Sequence, residues 1–240
     1  MKHIRLIVLA LAFLGAMPSI AGAQGAGIEW DILNQEVVEL YQAGKYDRAV
    51  VVARKALEVA EQTVGPNHPN VAASLNTLAL LYDTQGDYAK AEPLYKRSLA
   101  IVEKALGPDH PNVAASLNNL AGLYDTQGDY AKAEPLYKRS LAISEKALGP
   151  DHPDVATSLN NLALLYDTQG DYAKAEPLYK RSRAIVEKAL GPDHPEVATS
   201  LENLAALYRR TKRAKEAEPL EQRAAKIRAI KRLGTTCQVH

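Results

Sequence analysis

Cysteine is almost absent from this 240-residue chain, which contains one, Cys237. A single cysteine excludes an internal disulfide framework, so the fold must be stabilised by packing. After residue 20 no apolar run is long enough to cross a membrane. The sequence also lacks a glycine-rich phosphate loop, a nucleophile elbow and an HExxH zinc motif. We therefore expect a protein with no enzymatic activity and with no cofactor or metal.

The first 23 residues have the pattern of a secretory signal peptide. Lys2 and Arg5 form a basic start, and the apolar run at 6–20 is too short for a membrane span. An A-x-A signal at 21–23 predicts cleavage after its last alanine, followed by a short linker at 24–27. We therefore expect export, to the bacterial periplasm or outside the cell.

What the chain has in abundance is internal repetition. A 42-residue unit occurs in three close central copies, with a diverged copy before them and a looser copy after them; the middle copy differs from the copy before it at three positions and from the copy after it at five. A fixed period of this kind is typical of stacked supersecondary units, each of which buries its apolar face against its neighbours. The five copies and a flexible C-terminal tail occupy residues 28–69, 70–111, 112–153, 154–195, 196–233 and 234–240.

Each repeat predicts two helices, here called helix A and helix B. In the second repeat, apolar residues at helical spacing predict helix A over Val71, Leu75, Leu78, Ala79 and Tyr82. Gly86 suits the left-handed backbone after this helix, and Asp87 suits the N-cap of helix B. Pro93 lies inside helix B and predicts a kink or a tightened first turn. In the first repeat, either Leu40 or Tyr41 could take the place of Tyr82.

A Gly-Pro-Asp-His-Pro loop joins successive repeats, as at 107–111. Pro111 fits the first turn of the next helix and holds His110 in the extended conformation of a cap. A metal site would require these histidines to converge, whereas equivalent positions in a stack are one repeat apart. We therefore interpret all four as loop structure: His68, His110, His152 and His194.

These residues resemble the tetratricopeptide repeat, in the 42-residue form found in kinesin light chains. The match is carried by Leu75, Leu78, Ala79, Tyr82, Gly86, Tyr88, Ala91 and Tyr95, and by LNNLA at 117–121, AEPLYKRSL at 133–141 and LGPDHP at 148–153. The resemblance implies an all-α fold, a right-handed α-solenoid of about five stacked helix-turn-helix repeats. It further implies that helix A lines a concave groove that binds extended peptides, and that the protein is an interaction scaffold.

The other face of helix A would then form the binding surface, which we call the helix A stripe. Its side chains form an amide row, an apolar row and an acidic row. The amide row ends in a glutamate, and the acidic row ends in an arginine. The predicted partner-binding residues are Asn76, Asn118, Asn160 and Glu202, then Leu80 and Leu164, then Asp83, Asp125, Asp167 and Arg209.

Asparagine offers both donors and an acceptor, so a row of amides can bind a peptide backbone of any sequence. The acidic row departs from kinesin light chains, whose groove favours acidic peptides, and indicates a basic or neutral protein or peptide partner. Nucleic acid is not expected as a partner, because the protein is expected to be exported. Alternatively, the same asparagines and aspartates solvate a helix face or bond to neighbouring helices.

Two further functions remain open at this point. The segment 209–232 contains ten basic and three acidic residues, so it could dock on an anionic membrane with strong salt dependence. It could instead meet the acidic body of a second copy, head to tail. Against both, a terminal repeat needs a polar outer face, and Ala217, Leu220, Ala224 and Ile227 still predict an apolar stripe docked on the array.

Overall fold

The structure, a computed structural model, describes residues 23–236 and the side chains of residues 27–230. Every regular element in this range is an α-helix. The predicted signal peptide, apart from Ala23, and the end of the predicted tail with Cys237 lie outside the described residues. The helices are α1 (Ala23–Gln42), α2 (Tyr46–Val64), α3 (Pro69–Thr84), α4 (Tyr88–Leu106), α5 (Pro111–Thr126), α6 (Tyr130–Leu148), α7 (Pro153–Thr168), α8 (Tyr172–Leu190), α9 (Pro195–Arg210) and α10 (Ala214–Thr236).

The turn between helix A and helix B has the predicted left-handed glycine. Gly86 has φ 79°, a region that costs little without a Cβ. The backbone N–H of Asp87 donates to the carbonyl of Tyr82 at 2.8 Å, which closes α3 in the manner of a Schellman motif. At the turn of the last repeat Lys212 replaces the glycine and adopts φ 60°.

Leu40 occupies the position of Tyr82 in the first repeat. The N–H of Lys45 donates to the Leu40 carbonyl at 2.9 Å. In the second repeat the equivalent hydrogen bond is accepted by the Tyr82 carbonyl. Leu40 is buried. Tyr41 is half-buried and packs edge-on against Tyr46, with ring centroids 5.4 Å apart.

The predicted aspartate cap of helix B is formed in some repeats only. The Asp171 carboxylate accepts from the backbone N–H of Lys174 at 3.3 Å. At Asp87 the side chain makes no cap bond to a backbone N–H, and its carboxylate pairs with the ammonium of Lys90. Helix B itself is continuous through Pro93 in α4, and the predicted kink there stays a prediction.

Two compact units divide the chain inside α6, after Leu136. In the first unit α1 packs on α2 and α3 on α4, while α2 contacts α3 and α4 contacts α5. Ala79 and Ala91, at the predicted crossing of α3 and α4, are both fully buried. Because neither position carries a large side chain, the two helices can approach closely.

In the second unit α7 packs on α8 and α9 on α10, and α8 contacts α9. The predicted apolar stripe of the last helix faces this core, since Ala217, Ala224 and Ile227 are buried. Within residues 23–236 no helix combines the length and apolar character needed to cross a membrane. The core cluster is formed by Val155, Ala156, Leu159, Ile185, Val186, Val197, Ala198, Leu201, Ala224 and Ile227.

Candidate functional site

The helix A stripe of the first unit lies on α3 and α5, two helices that contact each other. On α3 the side chains of Asn76, Leu80 and Asp83 are half-buried, whereas Leu75 and Tyr82 on the opposite side of the helix are buried. The alternation arises because the apolar residues recur at three- and four-residue steps. Helix A therefore has one face in the core and a second, accessible face with the composition that the sequence predicted.

The same stripe on α5 carries Asn118 and Gly122, which are half-buried, and Asp125, which is buried. The Oδ1 atom of Asn76 on α3 is buried and makes no hydrogen bond with any described residue. A buried acceptor without a partner is unfavourable.

In the second unit the amide row continues at Asn160, which is buried with 8% exposure. The Asn203 side-chain amide donates to Oδ1 of Asn160 at 2.9 Å, so two successive helices A are joined through their amides. The alternative in which these asparagines bond to a neighbouring helix is therefore realised at Asn160. Leu164 on the same helix is half-buried.

Asp167 has a buried carboxylate that is neutralised inside the second unit. The Arg210 guanidinium lies 2.6 Å from its Oδ2 atom, and the Asp167 side chain is only 3% exposed. Arg210 stands in α9 where Thr168 stands in α7. This partner was not predicted from the sequence, although the replacement of a repeated threonine by arginine one repeat after Asp167 was a signal for it.

The amide row ends at Glu202, whose carboxylate is held by α10. Arg228 donates to both oxygens of Glu202, at 3.2 and 3.0 Å, and to the Thr199 hydroxyl at 2.8 Å. Arg209 forms a similar bidentate pair with Glu221, at 2.9 and 2.6 Å. Both pairs fix planar guanidinium groups on carboxylates.

Glu92 and Glu176, on helix B of the second and fourth repeats, each bond to a side chain of the repeat that follows. Glu176 accepts from the Tyr208 hydroxyl at 3.1 Å and pairs with Lys180 at 2.7 Å and Arg213 at 2.6 Å. The hydrogen bond from Arg213, supported by Lys180 and Tyr208, lowers the pKa of Glu176 to about 2. In the first unit Glu92 bonds in the same way to Tyr124 and Lys96, at 2.8 and 2.6 Å.

The basic segment is less open than its formal charge indicated. Arg223 pairs with Glu187 at 2.6 Å and donates to the Pro192 carbonyl at 3.1 Å, and Arg209, Arg210, Arg213 and Arg228 have the partners described above. The positive charge of these five arginines is thus balanced inside the second unit, which a count of charges along the sequence could not reveal.

The four loop histidines cap the helices that follow them. His110 is extended, with φ −76° and ψ 142°, and its Nδ1 accepts from the Asn112 N–H at 3.1 Å. Equivalent bonds are made by His68, His152 and His194. The sequence predicted the extended cap position but not the imidazole acceptor. In the described part of the chain no three His, Cys, Asp or Glu side chains lie together as metal ligands do.

The chain matches a known family of repeat proteins. The family model described as tetratricopeptide repeat matches residues 37–104, 84–146, 126–188 and 168–229. None of the curated proteins matches the sequence.

The structure is similar to that of a putative kinesin light chain from Podosopora anserina with nearly identical TPR-like repeats. That chain is 27% identical, with a TM-score of 0.68, over 88% of this chain and 99% of that one. BtubC from P. vanneervenii is 24% identical, with a TM-score of 0.69, over 88% and 91%. The apo form of RapI, 16% identical, has a TM-score of 0.67 over 83% and 70%. The last two show the fold alone.

Proposed function

The chain belongs to the tetratricopeptide repeat family and is kinesin-light-chain-like, and from that premise we propose that it binds a protein or an extended peptide along the helix A stripe. Repeat folds of this family generally mediate protein–protein interaction and are typically non-catalytic scaffolds. The observation that carries the proposal is the recurrence of a half-buried asparagine, Asn76 and then Asn118, on the accessible face of two helices in contact.

A row of amides suits a ligand that is bound through its backbone rather than through its side chains. Each amide can donate from Nδ2 and accept at Oδ1, which matches the N–H and C=O groups of an extended segment. In the second unit Asn203 uses the Oδ1 of Asn160, and the Nδ2 of Asn160 is then the group that faces a ligand carbonyl in our proposal.

The ligand we propose is neutral or basic. Asp83 on α3 is half-buried and acidic, and no basic residue stands in the helix A stripe before Arg209. The compensation of Asp167 by Arg210 reduces the attraction that the second unit exerts on a cation. A neutral peptide therefore fits the second unit, and a basic side chain fits best beside α3.

Affinity capture with the purified protein tests the site. The mature chain and an Asn76→Ala, Asn118→Ala, Asn160→Ala variant are used as baits in envelope and culture-medium fractions. The control variant, Gln85→Ala, Gln127→Ala, Gln169→Ala, removes three amides of the same period from exposed positions outside the stripe.

A partner retained by the mature chain and by the glutamine variant, but lost by the asparagine variant, supports binding through the stripe. Circular dichroism must show equal helicity for all three proteins. Equal recovery by all three would move binding to another face of the molecule and contradict the proposal.

We also propose that the protein is exported. The proposal rests on the basic, apolar and A-x-A regions of residues 1–23. Cleavage after Ala23 would remove only the first residue of the described helix α1. N-terminal sequencing of the protein from a bacterial periplasmic extract tests this. A first residue of Gln24 supports it, and a full-length chain confined to the cytosolic fraction would contradict it.

A further inference from the structure

One face of α1 is open to solvent at a position where the later repeats are covered by the repeat before them. A serine marks this face in the four later repeats and is buried in each: Ser74, Ser116, Ser158 and Ser200. The Ser158 hydroxyl lies 3.4 Å from the hydroxyl of Ser140 on the preceding helix B, and Ser74 accepts from the Trp30 indole at 2.8 Å. In the first repeat the equivalent residue is Ile32, which is 62% exposed. An exposed isoleucine thus replaces a buried serine on the face that receives a preceding repeat.

Acidic side chains surround Ile32 on the open face of α1. Glu29, Glu36 and Glu39 lie three, four and seven residues from it, which places them on the same side of the helix. The second repeat has buried valine and leucine at these three positions. Glu29 pairs with Lys55 at 3.1 Å, yet α1 as a whole has four acidic residues and no basic one. Two copies of this face would repel each other, so the face suits a basic partner.

The last helix has a matching face, on the side where a following repeat would stand. Leu141 on α6 packs against the core cluster formed by α7 to α10, so its position on helix B faces the following repeat. The equivalent residue of α10 is Ala225, which is exposed. After Glu221, α10 has five basic residues and no acidic one. Two of the five pair with glutamates of the second unit, and Lys226 is exposed. This end of the chain therefore has the charge that suits the open face of α1.

Side-chain sizes on the two terminal faces are exchanged relative to an internal junction. Inside the array a large residue of helix B, Leu141, faces a repeat whose helix A carries a small one, Ser158. At the ends helix B offers the small Ala225 and helix A offers the large Ile32. A large side chain would again meet a small one if these two faces were brought together, as close packing requires.

One ion pair of an internal junction has both of its counterparts at the free ends. Arg213, at the start of the last helix B, lies 2.6 Å from Glu176 of the preceding repeat. Glu218 stands one repeat after Glu176, and Lys45 stands at the position of Arg213 in the first repeat, whereas the three central repeats have aspartate there. Lys45 and Glu218 are both exposed.

We propose that the mature chain associates head to tail, with the first repeat of one copy packed on the last repeat of a second copy. At this junction Ile32 packs beside Ala225 and leaves water. Lys45 forms with Glu218 the ion pair that an internal junction forms. A polar terminal face needed for solubility alone has no use for an exposed isoleucine at a serine position. The contact joins copies of this chain and does not depend on the proposed peptide binding. Because its two surfaces differ, each added copy presents a free end again, which gives an open chain of copies or a ring.

Sedimentation equilibrium of the mature chain tests the contact, with a reducing agent present so that Cys237 forms no disulfide between copies. We expect the weight-average mass to rise with protein concentration beyond that of two copies. Association should weaken as salt is added, because part of the attraction is between exposed charges. A monomer at every concentration, or a mass that stops at two copies, would overturn the proposal.

Ile32→Ser places the residue of the later repeats on the open face. It should weaken association at least about tenfold, since an apolar side chain is no longer buried at the junction. Val51→Ser is the matched control. Val51 is 68% exposed in the same repeat, but its equivalents Pro93, Pro135 and Pro177 stay exposed in repeats that have neighbours on both sides. It should leave association unchanged, and equal weakening by both variants would refute the junction.

Lys45→Glu and Glu218→Lys each place like charges opposite each other and should weaken association about three- to tenfold at low salt. The protein with both substitutions restores opposite charges in the reverse order and should recover most of the loss. Such recovery reports a direct pair rather than a change in fold, and circular dichroism must show equal helicity for all variants. If the protein with both substitutions associates no better than either single variant, Lys45 does not meet Glu218 and the junction is refuted.

Discussion

Arg213 lies 2.6 Å from the carboxylate of Glu176, although 37 residues separate them and they belong to successive repeats. The same carboxylate also binds Lys180 and the Tyr208 hydroxyl. In the first unit Glu92 has the equivalent lysine and tyrosine, while Asp129 stands at the position of Arg213. The contact of Glu176 with the last repeat therefore includes one ion pair, to Arg213, that the contact of Glu92 with the third repeat lacks.

We predict that Glu176→Gln destabilises the protein by about 1–2 kcal/mol at neutral pH, since hydrogen bonds to charged groups are stronger than neutral ones. The pKa of Glu176 is lowered to about 2 in the folded protein. The stabilisation is therefore present above the pKa of an ordinary glutamate and is lost as the pH falls towards 2. Urea denaturation at pH 7 and pH 3 measures both effects. Glu92→Gln is the control and should cost less, and equal costs would contradict the role of Arg213.

Lys212 carries backbone strain that a glycine would relieve. Its φ of 60° is the only positive value for a non-glycine residue among those described, and Gly170 stands at the equivalent turn. We expect Lys212→Gly to raise the free energy of unfolding by about 0.5–1 kcal/mol. Lys212→Ala should give no gain. If alanine stabilised as much as glycine, the cause would be the lost charge rather than the backbone.

The histidine cap of α5 can be tested by replacing its acceptor. His110→Ala removes the bond from the Asn112 N–H and should destabilise the protein by about 1 kcal/mol, the usual value of an N-cap. His110→Asn supplies another acceptor and should recover most of this loss. Thermal denaturation of the three proteins gives the comparison. An asparagine variant as unstable as the alanine variant would show that the cap bond is not the stabilising feature.

We expect weak docking on anionic membranes, because Arg209, Arg210, Arg213, Arg223 and Arg228 of the basic segment are paired within the second unit. Co-sedimentation with vesicles of phosphatidylcholine and phosphatidylglycerol, compared with phosphatidylcholine alone, should show little difference at 0.15 M salt. Strong binding to the anionic vesicles that is lost with Lys215→Glu and Lys226→Glu, two exposed lysines, would contradict this expectation.

The helices were predictable because the same residue pattern recurs in several repeats. Apolar spacing located helix A, and Gly86 with Asp87 located its end. The first repeat was ambiguous, because Leu40 and Tyr41 are both apolar enough to be buried. Only the hydrogen bond from Lys45 to Leu40 identifies the equivalent position. Diverged terminal repeats lose the redundancy on which the prediction depends.

The environment of the candidate site was less predictable than its position. Sequence placed Asn160 and Asp167 on the accessible face of helix A, but both are buried by partners that come from the next repeat. Arg210 and Asn203 lie 43 residues from the groups they bind. Such contacts depend on how neighbouring repeats pack, which the pattern of one repeat does not contain.

The loop Gly-Pro-Asp-His-Pro has the same five residues at 107–111, 149–153 and 191–195, and each copy ends in the same histidine cap. Any of these junctions can consequently join any central repeat to any other. A gene encoding this chain could gain or lose a 42-residue unit by unequal recombination while every junction in the protein stayed chemically the same. The length of the proposed binding surface would then change in steps of one repeat.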